Sequence, residues 1–170
     1  NRLELSNNKA TRCHKLPHDP VKVENCLLEM GVRCLRKHAK EVVLDLDSMG
    51  HLLHGLQEGR HYNDYYGDYC YLPLYIVAGD VVLWAQLRTS DKGGADGVGP
   101  ALAQVVAAIR RRCPRARIIV RGDSGFGVDE IMAWGETQPG VYYCLGLARN
   151  SRLIEKLQPA LVRARERHCL

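Results

Sequence analysis

The chain has 170 residues, 46% of them hydrophobic, and a formal net charge of +5. That length suits one ordinary domain able to bury its own core, while no apolar run approaches the roughly 20 residues a membrane span needs and the first residues lack the apolar stretch of a signal peptide. The seven cysteines are scattered and never spaced as CxxC or CxxH, which argues against a disulfide framework or structural zinc and points to a reducing, cytoplasmic location.

Residues 1–38 read as a polar helical lead-in, and an opening Asn1 in place of Met suggests an upstream portion. Within it a helix is expected from about Pro20 to Lys37, capped by Asp19, with Val23, Leu27, Met30 and Cys34 on its apolar side. EVVLDLDS then reads as a strand. Val42, Leu44 and Leu46 face one way, and Val43, Asp45 and Asp47 the other. Two carboxylates on one face of an apolar strand are unusual.

The run YCYLPLYIVAGDVVLWAQLR predicts two strands, about Tyr69–Ala78 and Val81–Arg88, joined by a Gly79-Asp80 turn. Pro73 implies an irregular stretch in the first. Beyond the Gly-rich loop TSDKGGADGVG, Pro100 suits a helix start, ALAQVVAAIRRR has a broad apolar face, and Cys113-Pro114 ends the helix. ARIIV is a short apolar strand, VDEIMAWGE a short helix, TQPG a turn and VYYCLGLA a strand. SRLIEKLQPALVRARERH reads as helix interrupted at Pro159. Antiparallel strands followed by alternating strands and helices imply an α/β fold, a mixed sheet with crossovers covering its faces.

Positive charge gathers at RRRCPRAR (Arg110–Arg117) and RARERH (Arg163–His168). Such runs attract phosphate backbones, and they also sit naturally at helix C-termini, where cations complement the dipole.

RIIVRGDSGFG contains two familiar tetrapeptides, RGDS and GDSG. A trypsin-like nucleophile needs Gly where Phe126 stands and a two-barrel β fold, and Ser124 has no GxSxG context. Adhesion requires a mobile, secreted loop tip, whereas Arg121 and Asp123 follow a buried-type strand directly. Neither GxxxxGK[ST] nor a strand-linked GxGxxG is present.

The remaining chemistry is a carboxylate cluster of Asp123 with Asp47, and with Asp45 nearby. If the strand before Asp123 lies parallel to and beside the strand of Asp47, both acids emerge at the carboxyl edge, where open α/β sheets place their sites. Hard oxygen ligands of this kind suit Mg²⁺, and a pair of such ions serves phosphodiester chemistry. The alternative is structural, with Asp45 and Asp47 capping the strand end or pairing with arginines.

Three ordered blocks, VVLDLDSMGHLLHGLQEGRHYNDYYGDYCYLPLY, RIIVRGDSGF and YYCLGLARNSRL, resemble the DDE transposases of bacterial insertion sequences, over about Arg2 to Leu153. The resemblance implies an RNase H-like mixed five-stranded sheet flanked by helices, spanning 39–153, with 154–170 opening a remainder truncated at the C-terminus. It implies metal-dependent DNA cleavage and strand transfer with Mg²⁺ or Mn²⁺. By position the catalytic aspartates are Asp47 and Asp123, both metal ligands, with Asp45 the fallback for the first. His54, Gln57, Glu58 and Arg60 are expected along the DNA, as are Arg121 and Arg149, which alternatively pair with the acidic cluster. Tyr65 and Tyr66 offer faces for base stacking, or else pack a hairpin before the central strands. His51 and His54 read as loop residues without a third metal ligand.

The expected partners are DNA, as transposon ends and target, and a second copy of the chain in a DNA complex, with no membrane. Two departures stand out. Ser48-Met49-Gly50-His51-Leu52 replaces the usual A-T-D-D-P, and no glutamate matches the family's third acid, since Glu155 and Glu166 do not fit its motif. The chain therefore reads as a fragment or decayed copy, inactive alone. The alternatives are a silent DNA-binding or interaction domain, and a stand-alone nuclease drawing a third acid from Asp129, Glu155 or Glu166.

Overall fold

A computed structural model of the chain describes residues 19–168. The five-stranded sheet is built around β1 (Glu41–Ser48), whose alternating apolar residues bury Val42, Leu44 and Leu46 on one face. On one side β1 pairs antiparallel with β5 (Leu74–Ala78), which pairs antiparallel with β6 (Val81–Gln86). On the other side it pairs parallel with β7 (Arg117–Gly122), which pairs parallel with β8 (Val141–Leu145). The order β6-β5-β1-β7-β8 is the mixed five-stranded arrangement expected of an RNase H-like sheet.

The hairpin turn at Gly79-Asp80 forms as its sequence predicts: Gly79 sits at φ +61 and no such angle occurs at Asp80. A glycine first in a two-residue turn matches the twist of the strands it joins. The long first strand divides, however. Pro73 lacks the amide proton a ladder needs, and β4 (Asp68–Tyr71) ends before it while β5 begins after it. Freed from the main sheet, β4 pairs with β2 (His51–Leu52) and β3 (His61–Asn63) in a small separate sheet, order β2-β4-β3.

Helix α1 (Pro20–Cys34) begins at the Asp19 cap, whose carboxylate accepts from the Lys22 amide at 3.2 Å. Its packed side is not the one the sequence suggested. Leu28, Gly31 and Val32 are buried, whereas Val23 and Met30 are exposed and Cys34 with them. Gly31 decides this: a Cβ there would lie 2.7 Å from the Val82 carbonyl oxygen, so only glycine lets the helix lie against β6. α2 (Val98–Arg112) starts two residues before Pro100, which falls in its first turn, where the missing N–H costs nothing.

α3 (Asp129–Thr137) joins α1 and α2 in covering the core face, and Phe126, 2% exposed, anchors the turn leading into it. α4 (Ser151–His168) runs unbroken through Pro159, contrary to the expected interruption, and buries no residue. Consequently the helices cover one face of the sheet. The other, carrying Val43, Asp45, Tyr75, Val77, Ile119 and Arg121, has no helix packed on it among the described residues. The apolar spacing cannot distinguish a covered strand face from a half-exposed one when valine and isoleucine stand on both sides.

Candidate metal centre and its cleft

The parallel pairing of β1 and β7 runs from Glu41↔Arg117 to Asp45↔Arg121. Beyond that last pair, Asp47 lies two residues along β1, still paired with Tyr75 of β5, and Asp123 two residues beyond Arg121, just past the end of β7. Asp47 is exposed at the end of β1, with no hydrogen-bond or ion-pair partner among the described residues. Asp123 follows β7 and is also exposed; its Oδ1 accepts from the Gly125 amide at 2.8 Å, and its carbonyl accepts from the Phe126 amide at 3.2 Å.

That turn is held by close backbone packing. A Cβ on Gly122 would lie 3.0 Å from Phe126, and one on Gly127 only 2.2 Å from the carbonyl oxygen of Gly146 at the exit of β8. The glycines of RGDSGFG thus serve close approach, which fixes where Asp123 emerges.

Asp45 has a different role in the geometry. Arg121, its register partner, grips it through both fork nitrogens, Nε to Oδ1 at 2.6 Å and Nη2 to Oδ2 at 2.8 Å. The hydrogen bond and the charge of Asp45 raise the Arg121 pKa. Of the two readings for Arg121, the structure shows the ion pair.

A cleft of about 390 Å³ opens beside Asp123, lined among others by Ser48, Tyr65, Tyr66, Lys92 and Ser124. Tyr65 and Tyr66 stand at the tip of the β3–β4 hairpin, edge to face with centroids 5.0 Å apart. Tyr65 is 89% exposed, while Tyr66 packs where a Cβ on Gly50 would reach 2.6 Å. The HGLQEGR residues are elsewhere. His54, Gln57 and Glu58 are exposed in the β2–β3 loop, and Arg60 donates to the Gly55 carbonyl at 2.7 Å and lies 4.5 Å over the Tyr69 ring. Arg149 is exposed just past β8.

Two residues at this edge escaped the sequence reading, Lys92 and Arg88. Arg88 is 9% exposed and its guanidinium reaches the carbonyls of Leu72, Gly94 and Asp96 and the hydroxyl of Ser48. Burial lowers its pKa, opposed by the nearby charge of Asp96. It ties the Gly-rich loop to the residue next to Asp47. No periodicity singles out one arginine among many for burial; its signal lies only in the carbonyls that surround it.

Among the described residues no group of three or more His, Cys, Asp or Glu side chains gathers as a metal cage. The nuclease alternative, which needed Asp129, Glu155 or Glu166 beside Asp123, therefore finds no support in the arrangement. No helix of the described residues is long and apolar enough to cross a membrane.

Residues 2–169 match a family model described as the transposase DDE domain, group 1. No curated protein matches the chain. Among solved structures, the chain is similar to the catalytic domain of Mos1 mariner transposase at 13% identity and a TM-score of 0.43, covering 81% of this chain and 64% of that one. It is also similar to the Mos1 transposase paired-end complex with left transposon end, at 14% identity and TM-score 0.42 over 81% and 46% of the two chains. A third is the Mos1 strand transfer complex, at 13% and 0.41 over 91% and 53%. The chain thus spans between 46% and 64% of these proteins.

Proposed function

The chain belongs to the transposase DDE domain family, and from that premise we propose that it forms part of the core that cuts DNA and joins strands in transposition. In this reading Asp47 and Asp123 hold Mg²⁺ or Mn²⁺. The observation that supports it is the parallel β1–β7 register, which runs to Asp45↔Arg121 with each acid following two residues further along its own chain segment. The donor set fits: two carboxylates leave room for waters and substrate phosphate around a hard cation. Bound there, the metal would activate an attacking oxygen and stabilise a leaving one.

The chain's own residues supply positioning. Arg121 neutralises Asp45, so that Asp47 extends alone from its strand end. Gly122, Gly127 and Phe126 fix the turn that carries Asp123. Tyr65 and Tyr66 offer ring faces to unpaired bases, and Lys92 brings a cation to the same cleft. His54, Gln57, Glu58, Arg60 and Arg149 lie outside that cleft, and a contact from them reaches DNA that extends beyond it. A second copy of the chain in a DNA complex belongs to the same reading.

A catalytically silent DNA-binding domain is the second reading, favoured by the lack of a three-acid group among the described residues. Mn²⁺ binding followed by electron paramagnetic resonance separates the two. The proposal expects binding that weakens about tenfold or more in Asp47→Asn and in Asp123→Asn, with Asp45→Asn close to wild type. Equal binding by all four proteins, or none by wild type, would sink it.

A further inference from the structure

The arginine run Arg110–Arg117 has no part in the carboxylate site. It lies at the other end of the sheet, where β1 and β7 begin. There the C-termini of α1 and α2 come side by side: Arg112 donates to the carbonyls of Leu35 at 3.0 Å and Arg33 at 2.9 Å, and the Arg117 amide donates to the Lys40 carbonyl at 2.8 Å. Three arginines are consumed in building this end. Arg112 ties the helices together, Arg110 takes the carbonyls of Ala116 and Pro139, and Arg117 pairs with Glu41.

What remains is a set of cations that the fold does not use. Arg36, Lys37, Lys40, Arg111 and Arg115 are all exposed, with no acidic partner among the described residues. Lys40 and Arg115 line one depression, and Arg111 lines a second with Arg33, Arg112 and Glu29; Arg36 and Lys37 stand in the segment that joins α1 to β1. The acids at this end include Glu29, near Arg33 at 3.9 Å, Glu41 on Arg117, Asp80 in the hairpin turn, and Glu136 in the last turn of α3, which accepts from the Tyr143 hydroxyl at 2.8 Å. Two helix C-termini offset part of the positive charge, but a cap needs only one or two cations, and those are Arg110 and Arg112.

We propose that this end is a second nucleic-acid contact surface, taking the phosphate backbone of a duplex independently of sequence and of the carboxylate edge. Arginine forks suit phosphate oxygens. Beside the patch a groove of about 830 Å³ is lined by Arg115, Arg117, Trp134 and Tyr142. Tyr142 is 56% exposed with the Arg117 guanidinium 6.0 Å from its ring centroid, a pairing of aromatic face and cation that favours a nucleic acid over a lipid surface. The inference borrows from the transposase reading only the identity of the polyanion.

The test is fluorescence anisotropy of the chain with a random-sequence duplex, in EDTA, across a salt series. The variant is Lys40→Glu, Arg111→Glu and Arg115→Glu together; the control is Arg163→Glu, Arg165→Glu and Arg167→Glu on α4. Each lost phosphate contact removes about one unit from the slope of log affinity against log salt, so the variant is expected to lose about three units and the control less than one. Unchanged circular dichroism and melting show that the reversed side chains, which hold no partner, leave the fold intact, and milder Lys40→Gln with Arg111→Gln covers a variant that misfolds. Equal slopes for wild type and variant overturn the proposal, as does loss confined to the control, or binding to phosphatidylserine vesicles without binding to duplex. EDTA keeps divalent metal out of this assay, so it reads phosphate contact without the metal. A failure of the metal reading would therefore leave this result standing, and the reverse.

Discussion

Asp45 and Asp47 have the same residue type, the same strand and the same face, yet their surroundings differ. Asp45 is satisfied by a bidentate arginine, while Asp47 sits at the strand end beside Ser48, whose hydroxyl accepts from buried Arg88 at 2.9 Å. Arg88 holds Ser48 and Gly94, both of which line the cleft. Replacing Arg88 with Met strips donors from the buried Leu72 carbonyl and the part-buried carbonyls of Gly94 and Asp96, and a buried group left unpaired costs its desolvation penalty. Arg88→Met is expected to lower stability by about 2–3 kcal/mol in denaturant unfolding and to weaken Mn²⁺ binding through the displaced Gly-rich loop. Gly127→Ala forces a Cβ against the Gly146 carbonyl; a loss of about 1–3 kcal/mol is expected by the same measurement. A value near zero for either would mean the surrounding loops yield without cost.

At the scale of elements, the informative cases are those where local pattern and packing disagree. Pro73 is legible in sequence and splits the strand as its chemistry demands, yet the small sheet that takes up β4 leaves no trace in the pattern, because its strands are short and mostly exposed. Helix α1 shows the reverse problem. Apolar residues lie around much of its circumference, and what selects the packed side is Gly31 against β6, a contact between segments far apart in the chain. α4 has apolar side chains at Leu157, Leu161 and Val162, all exposed, and an internal proline. Without tertiary contacts a helix of this length is marginal, and Pro159 costs about 3 kcal/mol more. In hydrogen exchange the amides of 151–168 are expected to be nearly unprotected while those of α2 open only with global unfolding. Pro159→Ala should raise helicity by circular dichroism. Strong protection across α4 would show that it docks.

For the molecule as a whole, the layout is polar in the electrical sense: free carboxylates at one end of the parallel strands, free cations at the other. A divalent ion bound between Asp47 and Asp123, as proposed, would stabilise the folded state by mass action, about 2.7 kcal/mol at a hundred times its dissociation constant. For a domain of this size that corresponds to a rise in melting temperature of roughly 5–10 °C. Saturating Mn²⁺ is expected to give such a rise in wild type and little in Asp47→Asn or Asp123→Asn. An equal rise in all three proteins would place the ion elsewhere.

By itself the sequence determined the alternation of β1, the Gly79-Asp80 hairpin, the Asp19 cap and the order of the helices and the main-sheet strands, because these depend on neighbours within a few residues. It also determined the family, through ordered motifs that cover most of the chain. Only the tertiary structure decided that Asp45 is held by Arg121 while Asp47 is not, that Arg88 is buried, that one sheet face lacks a helix among the described residues, and that the arginine run meets the end of α1. Each of these is a meeting of groups dozens of residues apart, set by sheet register and close backbone approach. No local periodicity encodes such distances.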